Sequence, residues 1–348
     1  MSTPTPKETV LAQIRHQETE HVPFSIGFEG DVAERLDAHY GSADWRRDCN
    51  PYFATASAVN TDRKYPTDRK DYVTDPYGSL WFVGRLPWHL EKPALEDADS
   101  LEEGLASYTM PKPEQFFLSP EEKRSWGLQV CADNPGKFLV GACGWGLFER
   151  SWTIRGFENA LIDMVAEPDA YAELLDRLTD LYIGLIRETA TLPVDGILFG
   201  DDWGEQRGVI MGPERWREFF KPRWARLFAE THACGKIAMC HSCGSVADIV
   251  GDLAEIGLDV LESCQPEAAG MDPLRLKRLY GDKIAFWGTI GTQRLIPFGT
   301  PDEIRSEVAR LGREMGKGGG ILLAPAKPLQ PETPTENAAA VLEALREL

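Results

Sequence analysis

Ile237-Ala238-Met239-Cys240-His241-Ser242-Cys243-Gly244 joins a short apolar run to a polar turn carrying an imidazole and a thiol. Ile237 to Cys240 has the length and composition of a strand covered on both faces. The pattern recurs along the second half of the chain. Phe138 to Ala142, Gly196 to Phe199, Asp259 to Glu262, Ile284 to Trp287 and Ile321 to Leu323 read as further strands, separated by longer segments of helical periodicity. Short buried strands alternating with helices predict a parallel α/β architecture. With Val22 to Ile26 and Leu80 to Val83 as two earlier strands, the set predicts a (β/α)8 TIM barrel.

The intervening helices are marked by their caps. Thr300-Pro301-Asp302-Glu303 combines a hydroxyl N-cap, proline at the first helical position and a carboxylate at the third. Ser119-Pro120-Glu121-Glu122 and Thr333-Pro334-Thr335-Glu336 read as the same device. From Tyr171 to Ile186 a broad apolar stripe predicts a long helix over the barrel. No segment between Val130 and Leu348 has the composition of a linker, so residues 1–348 read as a single domain. Gly41 to Pro120 is less regular and rich in Asp, Pro and aromatics. Residues 1–120 are expected to form an N-terminal elaboration over the barrel mouth.

Composition narrows the partners. A formal net charge of −18 over 348 residues disfavours phosphate backbones and anionic headgroups, so neither nucleic acid nor membrane is expected to bind. Seven cysteines without a repeating spacing do not read as a disulfide framework. Met1 to Glu8 lacks a basic or apolar leader region, and no stretch reaches the roughly 18 apolar residues of a membrane span. A cytoplasmic protein is expected.

His241 and Cys243 fall on the turn after a strand, where barrel enzymes keep reactive groups. Ser245 with Asp248 reads as a capping box, which would set Cys243 beside a helix N-terminus and favour its thiolate. A thiolate and an imidazole two residues apart suit a borderline cation, zinc first. The plainer reading is a buried cysteine next to a hydrogen-bonded histidine. On the following strand Glu262 and Cys264 come within reach, because adjacent strands stand about 5 Å apart; the plainer reading of Cys264 is a small buried hydrophobe, the commoner fate of a free cysteine. Asp201 and Asp202 end another strand, and successive side chains there point in different directions. Either carboxylate can serve as acid, base or substrate acceptor, with Asp201 taken as the inward one and the other bracing the loop. Trp45, Tyr52, Trp81, Phe82, Trp88, Trp145 and Trp152 offer an apolar wall or ordinary packing.

Around these residues the chain resembles a known group. Phe199 to Gln206, Pro213 to Pro222, His241-Ser242-Cys243-Gly244-Ser245, Gln265-Pro266-Glu267-Ala268, Phe286-Trp287-Gly288, Gly318 to Pro325 and Gln330 to Asn337 are similar to the uroporphyrinogen decarboxylase-like superfamily. The resemblance implies a (β/α)8 barrel. The superfamily holds porphyrinogen decarboxylases, which use no metal, and zinc methyltransferases that move methyl groups to or from thiols and corrinoids. The decarboxylases carry an Arg-Gln-Ala-Gly-Arg motif for substrate carboxylates. Here that segment is the acidic Gly27-Phe28-Glu29-Gly30-Asp31.

The His-x-Cys pair of the methyltransferases matches His241 and Cys243. Several of them take a third zinc ligand near the last strand, where this chain reads Ala324-Pro325-Ala326-Lys327-Pro328 without cysteine. The similar barrel of cobalamin-independent methionine synthase takes one from the strand after the pair, which by register is Cys264. The implied ligand set is therefore His241, Cys243 and Cys264, with Glu29, Trp145, Trp203 and Gln265 toward substrate and Asp201 and Asp202 as catalytic carboxylates. Asp37-Ala38-His39-Tyr40-Gly41 departs from the corrinoid-binding Asp-x-His-x-x-Gly by one place, so cobalamin is expected on a separate corrinoid protein or free in solution. The resemblance implies a zinc-dependent methyltransferase that activates a methylated small molecule or a thiol for transfer to or from a corrinoid. A metal-independent decarboxylase and a non-catalytic barrel that binds a small molecule or corrinoid protein stay open as alternatives.

Overall fold

The computed structural model describes residues 3–348. β1 (Phe53–Ala56) opens the principal sheet, and β2 (Tyr65–Pro66), β3 (Tyr72–Thr74), β4 (Leu80–Phe82) and β5 (His89–Lys92) form a separate antiparallel one. β6 (Phe138–Trp145), β7 (Gly196–Gly200), β8 (Ile237–His241), β9 (Val260–Ser263), β10 (Ala285–Ile290) and β11 (Ile321–Pro325) complete the first sheet. Its order is β1-β6-β7-β8-β9-β10-β11, and every pairing is parallel. The six strands expected from Phe138 onward are all present. Continuous apolar runs flanked by helices form parallel strands because both faces are covered.

The two earlier strands differ from expectation. Leu80–Phe82 lies in the antiparallel sheet, where short turns such as Asp75 to Ser79 link neighbouring strands. The parallel strand is Phe53–Ala56, whose alanines and lone threonine give a weak strand signal. Val22 to Ile26 makes one parallel bridge, Phe24 to Leu323, with Ser25 N donating to Leu323 O at 3.0 Å and Leu323 N to Pro23 O at 2.8 Å. Pro23 has no N–H to extend the ladder. On its other side this segment exchanges two 3.2 Å hydrogen bonds between Ile26 backbone and the Asn50 amide, just before β1. The segment thus spans from β11 toward β1.

Side chains from successive strands fill the inside of the curled sheet: Phe53, Phe138, Val140, Met239, Val260, Ala285, Trp287, Leu322 and Ala324 form one buried cluster. Phe53 stacks on Trp287 at 4.7 Å between ring centroids. Each such large side chain contributes about 1.5–3 kcal/mol by leaving water. Outside, the Pro168–Thr189 helix buries Tyr171, Leu174, Leu175, Leu178, Leu181, Leu185 and Ile186 as its stripe requires.

The Thr300 and Ser119 capping boxes both form. The third does not: the last helix starts at Thr335 with Pro334 as N-cap, and Arg35 Nη1 instead donates to Thr333 O at 2.9 Å and Thr335 Oγ1 at 3.2 Å. Among the described residues no helix is long and apolar enough to cross a membrane.

Candidate metal centre

Gly200, His241 and Glu262 are register partners across β7, β8 and β9, so three chain segments deliver their polar ends to one place. His241 Nδ1 is hydrogen-bonded to Glu262 Oε2. Its Nε2 lies 3.1 Å from Cys243 Sγ and 3.5 Å from Asp202 Oδ1. Asp202 Oδ1 also accepts the Cys243 N–H at 2.8 Å, which fixes the carboxylate over the turn. One donor atom each from Asp202, His241 and Cys243 lies within 4.8 Å of the others. In tetrahedral zinc sites neighbouring ligand atoms are about 3.3–3.8 Å apart, given metal–ligand bonds of about 2.0–2.3 Å. The N, S and O donors present fit that cation.

The backbone of the turn is held by close approach. Gly244 has φ +71°, and a Cβ there would sit 2.6 Å from Gly204. The β7 loop and the His241–Cys243 turn therefore pack backbone to backbone, which no side chain would permit. The expected Ser245–Asp248 box is absent: the helix begins at Val250, and Ser245 Oγ donates to Ala269 O at 2.6 Å. A helix dipole is therefore not what acts on Cys243, since the turn residues 247–249 intervene. The electrostatics come from carboxylates instead. Burial lowers the His241 imidazole, but Glu262 and Cys243 override it and hold the ring well above the ordinary histidine range. A position that favours positive charge on both ring nitrogens favours a cation as well.

The paired aspartates divide the work in the opposite sense to expectation. Asp201 is fully buried. It accepts from Glu149 N at 3.0 Å, Phe148 N at 3.1 Å, Trp203 Nε1 at 2.7 Å and Trp224 Nε1 at 3.2 Å. Burial pushes its carboxyl up to about 7 against the pull of these donors. Asp201 thus braces the loop and the start of the Leu147–Arg155 helix, while Asp202 faces His241.

Cys264 is fully buried, and its thiol, which burial pushes up, donates to Leu261 O at 3.4 Å. It is not among the grouped donors. Trp203 is also fully buried, 5.5 Å from the Trp216 ring and 5.4 Å from Trp224, which places it in the core. Trp145 is half-buried beside Trp81 and Trp152. Trp81 of β4 thereby brings the antiparallel sheet against the C-terminal end of β6. Gln265 Oε1 accepts from Gly244 N at 3.4 Å, tying it to the turn. Glu29 is exposed, with its N–H on Leu329 O.

Glu149 was silent in the sequence. It is only 9% exposed, and burial, with Asp201 and Asp202 adding to it, pushes its carboxyl up to about 8. A carboxylate in an otherwise buried first helical turn, Leu147-Phe148-Glu149, is the signal that marks it. Backbone strain also gathers here: Ser263, Cys264 and Thr289 have φ of 88°, 41° and 78° at the ends of β9 and β10. His241 and Glu262 open into a cavity of about 330 Å³ lined by Ser25 to Gly27, Trp287 and Ala324 to Pro328.

A parallel α/β sheet with an N, S and O donor set at its carboxyl end is the layout in which barrel enzymes keep their reactive groups. The model of the uroporphyrinogen decarboxylase (URO-D) family matches residues 147–348, more than half of the chain, and the chain belongs to that family. It is 27% identical over 180 residues to the methylcobamide:CoM methyltransferase MtaA of Methanosarcina barkeri, covering 52% of this chain and 50% of that protein. It is 30% identical over 128 residues to the uroporphyrinogen decarboxylase of Bacillus mycoides, covering 35% of each. The chain therefore spans half or less of the length of these relatives. A solved methyltransferase from Methanosarcina mazei shares the fold with a TM-score of 0.70 at 19% identity, over 99% of both chains.

Proposed function

We propose that this chain is a zinc-dependent methyltransferase, activating a methylated small molecule or a thiol for methyl transfer to or from a corrinoid. The observation that carries the reading is His241, held by Glu262 through Nδ1, with Cys243 and Asp202 gathered at Nε2. His241, Cys243 and Asp202 would hold the metal. A bound zinc supplies Lewis acidity, keeping a sulfur or a leaving group in its anionic form at neutral pH. Glu262 keeps the imidazole in one tautomer and one orientation. The turn N–H of Cys243 fixes Asp202 as the third donor, and burial with Asp201 and Asp202 pushes up the carboxyl of Glu149 nearby. In the thiol direction the thiol gives up its proton and its lone pair takes the methyl group, while the pair of the broken carbon bond stays with the corrinoid. The names borne by the methyltransferase relatives agree with this reading, and a corrinoid would come from a separate protein or from solution.

The test is thiol-dependent loss of the methylcobalamin absorbance, with mercaptoethanol as thiol. Catalysed demethylation that falls at least about 100-fold in Cys243→Ala is expected. A wild-type rate no faster than the buffer reaction contradicts the proposal.

A further inference from the structure

The cavity of about 330 Å³ that contains His241 and Glu262 has an outer neighbour of about 420 Å³, lined by Gln265, Thr292, Gln293, Phe298, Gln330 and Glu332 among others. Lys327 lines both cavities. Among the described residues it is the one Lys or Arg lining either. Its backbone is fixed from both sides: Ala326 N donates to Ile290 O at 2.9 Å, Ser263 Oγ donates to Ala326 O at 2.9 Å, and Leu329 N donates to Gly27 O at 2.8 Å. An exposed ammonium is thus carried on a hydrogen-bonded arc where the two spaces meet.

The charge around it asks for a partner. The chain carries −18 overall. Cys243 as thiolate, Asp202 and Glu262 outweigh one divalent cation by a single negative charge, counting His241 as neutral. Glu262 is engaged with His241, and no carboxylate lies within ion-pair distance of Lys327 among the described residues. Glu262 lines the inner cavity and Glu332 the outer one, so Lys327 is the one cationic side chain that an anionic small molecule meets there among the described residues. The rest of the inner lining is aliphatic apart from Ser25 and Trp287, whose Nε1 is already donated to Ser25 Oγ at 2.9 Å. Phe298, 81% exposed, adds an aromatic edge to the outer cavity.

We infer that Lys327 is the charge-selecting residue of this site and that the small molecule it takes carries a carboxylate, seated on Nζ while its reacting end points to His241 and Cys243. This rests on the reading of His241 and Cys243 as the reacting end. Lys327 touches the substrate's charged end and takes no part in bond making.

Calorimetric titration of the zinc-loaded protein with mercaptopropionate and mercaptopropanol, which differ in the charged end, tests it. The carboxylate is expected to bind about 10–100-fold tighter, the range of one charge-assisted hydrogen bond. Lys327→Met should erase that ratio without changing mercaptopropanol affinity or zinc content, and Lys327→Arg should keep most of it. Equal affinities in the wild type, a preference that survives Lys327→Met, or no binding of either thiol together with none of propionate overturns the inference. Propionate and propanol titrated in parallel read the charged end without a sulfur. A Lys327-dependent preference for propionate in protein that retains no zinc would leave this inference standing and sink the metal reading alone.

Discussion

His241 and Glu262 are register partners on adjacent parallel strands, and the hydrogen bond from Nδ1 turns the other ring nitrogen toward Cys243. Carboxylates in this position orient a ligating imidazole and raise its basicity. Glu262→Gln should therefore weaken zinc affinity about 10–100-fold without unfolding the protein. Competition against a chromophoric chelator, with circular dichroism as the folding control, checks it. Unchanged affinity would reduce Glu262 to a cavity wall.

Asp201 and Asp202 should separate cleanly. All four hydrogen-bond partners of the Asp201 carboxylate are N–H donors, so the amide nitrogen of Asp201→Asn would meet donors in place of an acceptor. A loss of about 1–3 kcal/mol of stability is expected, with activity per folded molecule largely kept. Asp202→Asn should leave stability within about 0.5 kcal/mol and cost at least about 10-fold in zinc affinity. Denaturant titration and metal analysis of both variants decide it, and the reverse pattern would assign the metal to the wrong aspartate.

In protein stripped of metal by a chelator, Glu149 and Asp201 couple stability to pH. Burial first of all raises their carboxyls from 4.5 to about 8 and from 3.8 to about 7. Carboxyls raised in the folded state favour folding while protonated. Their contribution is complete below about pH 4 and is lost as pH rises through those folded values. The urea midpoint should fall between about pH 5 and pH 8.5, and Glu149→Gln should remove on the order of 2 kcal/mol of that fall. A midpoint with the same slope in the variant contradicts the assignment.

Uroporphyrinogen should not be decarboxylated at a useful rate. Glu29 and Asp31 are exposed on the segment tied to Leu329, and they set negative charge before a polycarboxylate. Product analysis by chromatography is the measurement, and turnover above the uncatalysed rate would put the metal-independent decarboxylase ahead of the methyltransferase.

Much of this was legible in the residues. β6 to β11 announce themselves because buried parallel strands are near-continuous apolar runs. Phe53-Ala54-Thr55-Ala56 does not, because its place is set by pairing with Phe138 to Gly141 rather than by its own propensity, while Leu80-Trp81-Phe82 carries a stronger strand signal into a different sheet. That His241 and Cys243 lie side by side was readable from the end of β8 and the turn that follows it. Their neighbours were not, because alternation along a strand stops predicting direction where the backbone leaves strand geometry. The positive φ of Ser263 and Cys264 turns the Cys264 thiol back to Leu261, and the four donors around Asp201 pull it inward and leave Asp202 outside. Glu149 depends on the Leu147–Arg155 helix folding against β7, a tertiary contact with no local trace.

Metal analysis of protein purified without added metal, for the wild type and for His241→Ala and Cys243→Ala, tests the central claim most directly. His241 ends β8 and Cys243 lies on the turn just beyond it, at the rim rather than in the packed interior, so both variants should stay folded. The account predicts close to one zinc per wild-type chain and loss of most of it in each variant. Full-occupancy zinc in both variants, or a folded wild-type protein that takes up none when zinc is supplied, would contradict it.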